Sequence, residues 1–186
     1  MSRRLEIHAT PIEGLAVLER QPVGDARGML ERLFCAEELA GMLGAGAVQV
    51  NRTVTASAGT VRGMHFQRAP HAEDKVIACV RGKVFDVAVD LRRGSPTFLR
   101  WHGEVLSPEN RRSMLVPRGF AHGFQALADG SEMVYVHTAP YRADAEGGLD
   151  AADPRLGIAW PLPVRERSAR DASHPPIDAG FEGLDP

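Results

Sequence analysis

Two segments place a histidine where it could do chemistry: Val61-Arg62-Gly63-Met64-His65-Phe66-Gln67 and Val116-Pro117-Arg118-Gly119-Phe120-Ala121-His122-Gly123-Phe124. An imidazole titrates near neutral pH, so either ring could act as a general base or as a metal ligand. Imidazole and carboxylate together suit several first-row divalent ions, and His65, Glu73 and His122 are the set that could hold one. The plain alternative for an isolated ring such as His122 is a histidine satisfied by hydrogen bonds beneath a glycine-rich turn. What favours chemistry is company. Arg62 and Lys75 belong to segments expected to pair around those two histidines, and a guanidinium grips phosphate through two parallel bonds while an ammonium stabilises a developing oxyanion. A cluster of cations and imidazoles without thiolates points to an anionic ligand, phosphate above all, beside a base working near neutral pH.

Other machinery is missing from the sequence. Gly44-Ala45-Gly46 lacks the third glycine of a dinucleotide fingerprint, Gly82-Lys83 lacks the rest of a P-loop, and no Gly-x-Ser-x-Gly elbow occurs. The 22 Lys+Arg residues nearly balance the 24 Asp+Glu, a net charge of −2, which excludes the basic surface of a nucleic-acid binder. Cys35 and Cys79 are the only cysteines and sit in apolar stretches without metal-ligand spacing. No apolar run approaches the roughly 18 residues of a membrane span. The expectation is a cytoplasmic protein in a reducing compartment, without nucleic-acid or membrane partners.

These side chains must be positioned by β-structure. Nineteen Gly and 13 Pro spread along 186 residues imply short elements and frequent turns. Phe85, Val87, Val89 and Leu91 alternate with Asp86, Ala88 and Asp90, the period of a strand. Residues 75–80 form a second strand, and Arg81-Gly82 between them reads as a tight hairpin that pairs the two. Further strands are expected at 15–20, 48–55, 97–106 and 132–138, the last with Met133, Tyr135 and His137 on one face. A short helix is expected at 36–43, from Leu39 and Leu43 four residues apart, and the tail after Trp160 reads as ordered coil with one short turn. With no repeat or linker, residues 1–186 read as a single all-β domain, a closed barrel or jelly roll with short flanking helices.

The second histidine segment contains Pro-x-Gly-x-x-His, which resembles the turn of a cupin barrel. Adding Lys75-Val76-Ile77, Val84 through Arg92, Gly94-Ser95-Pro96-Thr97 and Ile158-x-Trp160-Pro161, the chain resembles the dTDP-4-dehydrorhamnose 3,5-epimerase family over roughly residues 10 to 178. The resemblance implies a cupin-like jelly roll that forms a homodimer with an exchanged N-terminal strand. It also implies a metal-free, cofactor-free isomerase acting on a nucleotide-linked 4-keto-6-deoxyhexose.

A C4 ketone makes the C3 and C5 hydrogens removable because the resulting carbanion is an enolate. The family resemblance assigns His65 as base, Asp171 as the carboxylate orienting it, Tyr141 as the donor on the opposite face and Lys75 as the cation near the C4 oxygen. It places Arg27, Gln49, Asn51, Arg62, Asp86, His122 and Arg170 around the substrate, Arg27 reaching the neighbouring subunit's site. Without the family, Tyr141 reads as a loop aromatic on Pro140, Asp171 as a cap and Lys75 as a solvent-facing strand residue. Departures bear on the substrate: where the family commonly has Arg-Gly-x-Phe-x-Glu, this chain has Leu30 and Arg32, a lost ring and a reversed charge. Glu73 stands where Gln is frequent, and Met64 and Phe66 replace the commonest Leu and Tyr beside the base. The rivals are a C3-only epimerase, a relative using another nucleotide sugar, a metal-dependent cupin, and a sugar-nucleotide binder without turnover.

Overall fold

The computed structural model describes residues 3–185. Thirteen strands run in order: β1 (Leu5–Ala9), β2 (Ala16–Arg20), β3 (Val23–Asp25), β4 (Gly28–Leu30), β5 (Gln49–Thr55), β6 (Val61–Gln67), β7 (Lys75–Arg81), β8 (Val84–Asp90), β9 (Trp101–Leu106), β10 (Arg112–Val116), β11 (Phe120–Ala126), β12 (Ser131–His137) and β13 (Glu146–Gly148). A single four-residue helix, α1 (Ala169–Ala172), follows. The strands build a six-stranded sheet, β1-β2-β10-β7-β12-β5, a five-stranded sheet, β13-β6-β11-β8-β9, and the separate hairpin β3-β4. Every pairing between these strands is antiparallel. The all-β jelly roll expected from the turn density is therefore the architecture found.

Three apolar layers hold it together. Between the sheets, Ile77, Cys79, Met114 and Met133 from one side meet Val84, Ala88, Leu106, Phe120 and Phe124 from the other. Outside the five-stranded sheet, Val87, Val89 and Leu91 are covered by Leu149, Leu156 and Ile177 of the C-terminal tail. The apolar phase of β8 thus faces the tail, and its other phase, Asp86 and Ala88, faces the barrel interior. Each fully buried Val or Leu there is worth about 1.5–3 kcal/mol, so the tail is an integral layer. Outside the six-stranded sheet, Leu5, Leu18, Val76 and Leu115 are covered by Leu39, with Phe34, Met42 and Leu43 at its margin.

Several local expectations are corrected. Strands β7 and β8 do not pair: β7 lies between β10 and β12, and β8 between β11 and β9. Arg81-Gly82 carries the chain from one sheet to the other, with Gly82 at φ +74° and Ser131 packed against it. Residues 36–43 form successive turns instead of a regular helix; Leu39 and Leu43 keep their spacing because both press onto the sheet. The strand expected from Thr97 begins at Trp101.

Residues before Trp101 instead form a turn around the buried Asp90. Its carboxylate accepts from Arg92 Nε (2.9 Å), Arg92 Nη2 (2.8 Å), Ser95 Oγ (2.6 Å) and Thr97 Oγ1 (2.6 Å). Burial raises its pKa, but these donors, Arg92 foremost, outweigh it and bring the group down to about 2. A lowered folded-state pKa gives stability that is present above the unfolded carboxylate value and is lost as pH falls through about 2. Asp90→Asn is expected to cost about 1.5–3 kcal/mol at pH 7 by urea denaturation, a difference from the parent that narrows below about pH 4.

Candidate active site

The barrel opens at one end into a cavity of about 680 Å³. His65 enters it from β6. Its Nε2 lies 2.9 Å from Asp171 Oδ1, and Asp171 Oδ2 accepts the Gly63 N–H at 3.1 Å. Ser168 caps α1 by accepting the Asp171 N–H at 3.0 Å, which fixes the carboxylate's backbone. Gly63 is at φ +120°, and a Cβ there would stand 2.5 Å from Gly123 Cα, so β6 and β11 approach closely only because both positions lack side chains.

Electrostatics suit a base. Burial pushes the His65 pKa below its ordinary value, Asp171 draws it back up, and Arg170 lowers it again, for a net fall. Burial would raise Asp171, but the Gly63 and His65 bonds prevail and keep it below the ordinary carboxylate range. The ring is neutral and the carboxylate ionised near pH 7, so Nε2 carries the proton shared with Asp171 and Nδ1 the lone pair. Arg170 Nη2, 3.2 Å from Nε2, cannot donate to a nitrogen that already bears hydrogen and acts there as a neighbouring charge. Arg170 is tethered to Glu146 Oε2 at 2.8 Å.

The opposite wall comes from the six-stranded sheet. Lys75, on β7, is buried and lies 3.1 Å from Glu73 Oε1. Glu73 Oε2 accepts His137 Nδ1–H at 2.8 Å, and His137 Nε2 faces the Asn51 amide at 3.4 Å. Burial would raise Glu73, yet His137 and Lys75 hold it below its ordinary value. Tyr135, on β12 beside them, is stacked on His137 and edge-on to His122. Burial raises its hydroxyl far above the ordinary phenol value, with Asp86 adding to the rise. His122 Nε2 lies 2.7 Å from the fully buried Asp86, whose pKa burial also raises.

Of the residues expected at the site, His65, Lys75, Asp171, Tyr141, Asn51, Arg62, His122 and Arg170 line the cavity. Asp86 supports it through His122, and Gln49 through Asn51 Oδ1 and the Tyr141 N–H. Arg27 does not reach it within one chain: it sits on the exposed β3-β4 turn, bound to Asp25. The metal set His65, Glu73 and His122 does not assemble either, since Glu73 is engaged by Lys75 and His137, and His122 by Asp86. Lys75 is no solvent-facing residue. Tyr141 lies at the rim, half exposed, donating to Glu146 Oε2 at 3.0 Å, on the side of the base. Tyr135, His137, Glu146 and Ser168 also line the cavity without having been singled out. The alternation of β12 already placed Tyr135 and His137 together; Glu146 opens β13, a three-residue strand (Glu146-Gly147-Gly148) too short to show any alternation.

The model of the dTDP-4-dehydrorhamnose 3,5-epimerase family matches residues 9–179. The chain belongs to that family. It is 40% identical over 168 residues to the Sinorhizobium fredii dTDP-4-dehydrorhamnose 3,5-epimerase, covering 89% of this chain and 86% of the relative. The Salmonella typhimurium enzyme of the same description is 39% identical over 171 residues, covering 91% and 93%. Among solved structures, the Legionella pneumophila dTDP-6-deoxy-D-glucose-3,5-epimerase in complex with dTDP-4-keto-L-rhamnose superposes with a TM-score of 0.89 at 35% identity, over 97% of this chain and 98% of that one. A 3'-monoepimerase from Streptomyces bikiniensis, in complex with dTDP-quinovose, gives 0.84 at 34% identity, over 91% and 86%. The protein is an isomerase built on a cupin-type fold. Among the described residues no helix is long and apolar enough to cross a membrane.

Proposed function

We propose that the protein inverts C3 and C5 of a dTDP-4-keto-6-deoxyhexose, turning dTDP-4-dehydro-6-deoxyglucose into dTDP-4-dehydrorhamnose without a metal or organic cofactor. The observation that carries this reading is the opposition of His65–Asp171 on one wall to Tyr135 on the other, with Lys75 on the strand beside Tyr135. The His65 Nδ1 lone pair takes the proton from the carbon next to the ketone, and the C–H electrons move onto the C4 oxygen as an enolate. Lys75 stabilises that oxygen. Tyr135 donates its hydroxyl proton to the other face of the carbon, the electrons return from oxygen, and the centre is inverted.

The donor role expected of Tyr141 passes to Tyr135 for a geometric reason. The Tyr141 hydroxyl is bound to Glu146, which also holds Arg170 beside His65, so it stands on the base's own side. Tyr141 then closes the mouth over the sugar. Arg62 and Arg170, with Asn51 and His122, bind the diphosphate and sugar.

The reading includes a homodimer. Strand β1 is paired with β2 of its own chain, so exchange of that strand is not needed, and the element free to reach a neighbour is the β3-β4 hairpin. It exposes Val23, Met29 and Leu30 beside Arg27, and the edge strand β5 exposes Val50 and Val54. A partner's hairpin laid over the mouth would bury these apolar groups and bring in a guanidinium for the diphosphate. Leu30 offers no aromatic ring for the base and Arg32 is paired with Glu38, so binding of thymine rests on other contacts.

A second reading, epimerisation at C3 alone, is favoured by the likeness to the 3'-monoepimerase. Incubation with dTDP-4-keto-6-deoxyglucose in deuterated water separates them: deuterium is expected at C3 and C5 by NMR. Deuterium at C3 only selects the second reading, and none at either carbon, with other nucleotides also tried, overturns both.

A further inference from the structure

His174 stands behind the base and has no part in the chemistry above. Its Nε2 is buried and makes no hydrogen bond. Its ring centroid lies 6.4 Å from that of His65, and it fills the place of a missing side chain. Gly148 is the register partner of His65, and a Cβ there would stand 2.1 Å from His174 Nε2. One nitrogen from each histidine and one Asp171 oxygen lie within 4.8 Å of one another. Among the described residues this is the one such group of three. Two imidazoles and a carboxylate are the donor set of a three-ligand Zn²⁺ site with an open fourth position.

We propose that His65, Asp171 and His174 form an inhibitory site for Zn²⁺ or a similar divalent transition metal. The ion takes the His65 nitrogen that faces Asp171, Nε2, in place of the proton now shared there. A neutral imidazole carries one N–H, so the displaced proton moves to Nδ1 and the basic lone pair is gone. Metal binding therefore removes the base without changing the number of protons on the ring. Arg170 opposes entry: its Nη2 is 3.2 Å from His65 Nε2 and its Nε 3.7 Å from Asp171 Oδ1, where its charge repels a cation. Its side chain is half exposed, and Glu146 holds it in place. Metal affinity is thus set by three ligands against one guanidinium. The inhibition, though not the binding, rests on His65 being the base.

The test is a titration of tag-free protein with zinc chloride, read both by calorimetry and by the deuterium exchange described above. One equivalent is expected to bind and to suppress exchange, with a chelator restoring it. His174→Ala and His174→Phe should weaken binding by more than the roughly 10–100-fold lost with a supporting partner, while metal-free exchange stays at the parent's level and reports a folded protein. Arg170→Ala should tighten binding. Absence of stoichiometric binding, or binding that both His174 variants leave unchanged, overturns the site. Binding that depends on His174 while exchange continues at saturation supports the site and overturns His65 as the base.

Discussion

Replacing His65 by Asn is expected to reduce deuterium incorporation at both C3 and C5 by roughly 10²–10⁴-fold, the contribution of a well-placed general base. Asn keeps a polar side chain toward Asp171 but has no titratable lone pair, so the loss isolates proton abstraction from folding and binding. Thermal unfolding and nucleotide binding should stay near the parent's values. The pH profile gives a second readout. Only the neutral ring abstracts a proton, so kcat/KM falls as pH drops through the His65 pKa. Burial sets that pKa below the ordinary imidazole value, so activity should persist to lower pH than a free histidine would allow. Asp171 works against that fall, and Asp171→Asn should move the acid limb lower still while reducing the rate through loss of the fixed tautomer. Exchange at the parent's rate in His65→Asn, or an acid limb that Asp171→Asn moves upward, would overturn the assignment.

What could be read from the sequence divides by the range of the interactions involved. The alternation in β8 and β12 is local and predicted both strands, but not which phase faces the cavity. In and just after β8 the apolar residues Val87, Val89 and Leu91 face the tail, because the chain after Gly148 supplies a second cover that strand periodicity does not encode. The Arg81-Gly82 turn has hairpin chemistry, yet both edges of β7 are filled by β10 and β12, strands distant in sequence. Asp171 reads as a cap, but Ser168 caps α1 and Asp171 is the third residue of the helix, its N–H held by Ser168; that its carboxylate meets His65 depends on the tail's docking. The family motifs supply that pairing and set Lys75 near the C4 oxygen of the substrate, and in the fold Lys75 lines the cavity. The Glu73–His137 link is not legible in the sequence, because 64 residues separate its members. Arg27 is exposed in a single chain, and its proposed role needs a second copy.

The two tyrosines give the other large effect, because the chain has no third to substitute for them. Tyr135→Phe is expected to lower net epimerisation by roughly 10²–10³-fold, within the range for a general acid, while exchange initiated by His65 continues. Abstraction needs only the base, whereas inversion needs a proton delivered from the other wall, so the variant should return protons from the base's own face. The high pKa that burial imposes on Tyr135 keeps its proton in place until a carbanion is formed opposite it. Tyr141→Phe removes only the bond to Glu146 at an exposed rim, and should cost no more than about tenfold, mainly in KM. The comparison is made by NMR, following product formation and hydrogen exchange in one sample. A larger loss of inversion in Tyr141→Phe than in Tyr135→Phe would restore the donor role to Tyr141. Equal loss of exchange and inversion in Tyr135→Phe would mean that Tyr135 shapes the cavity instead of delivering the proton. Inversion without exchange cannot occur in this scheme, since each new C–H bond replaces one that His65 has broken.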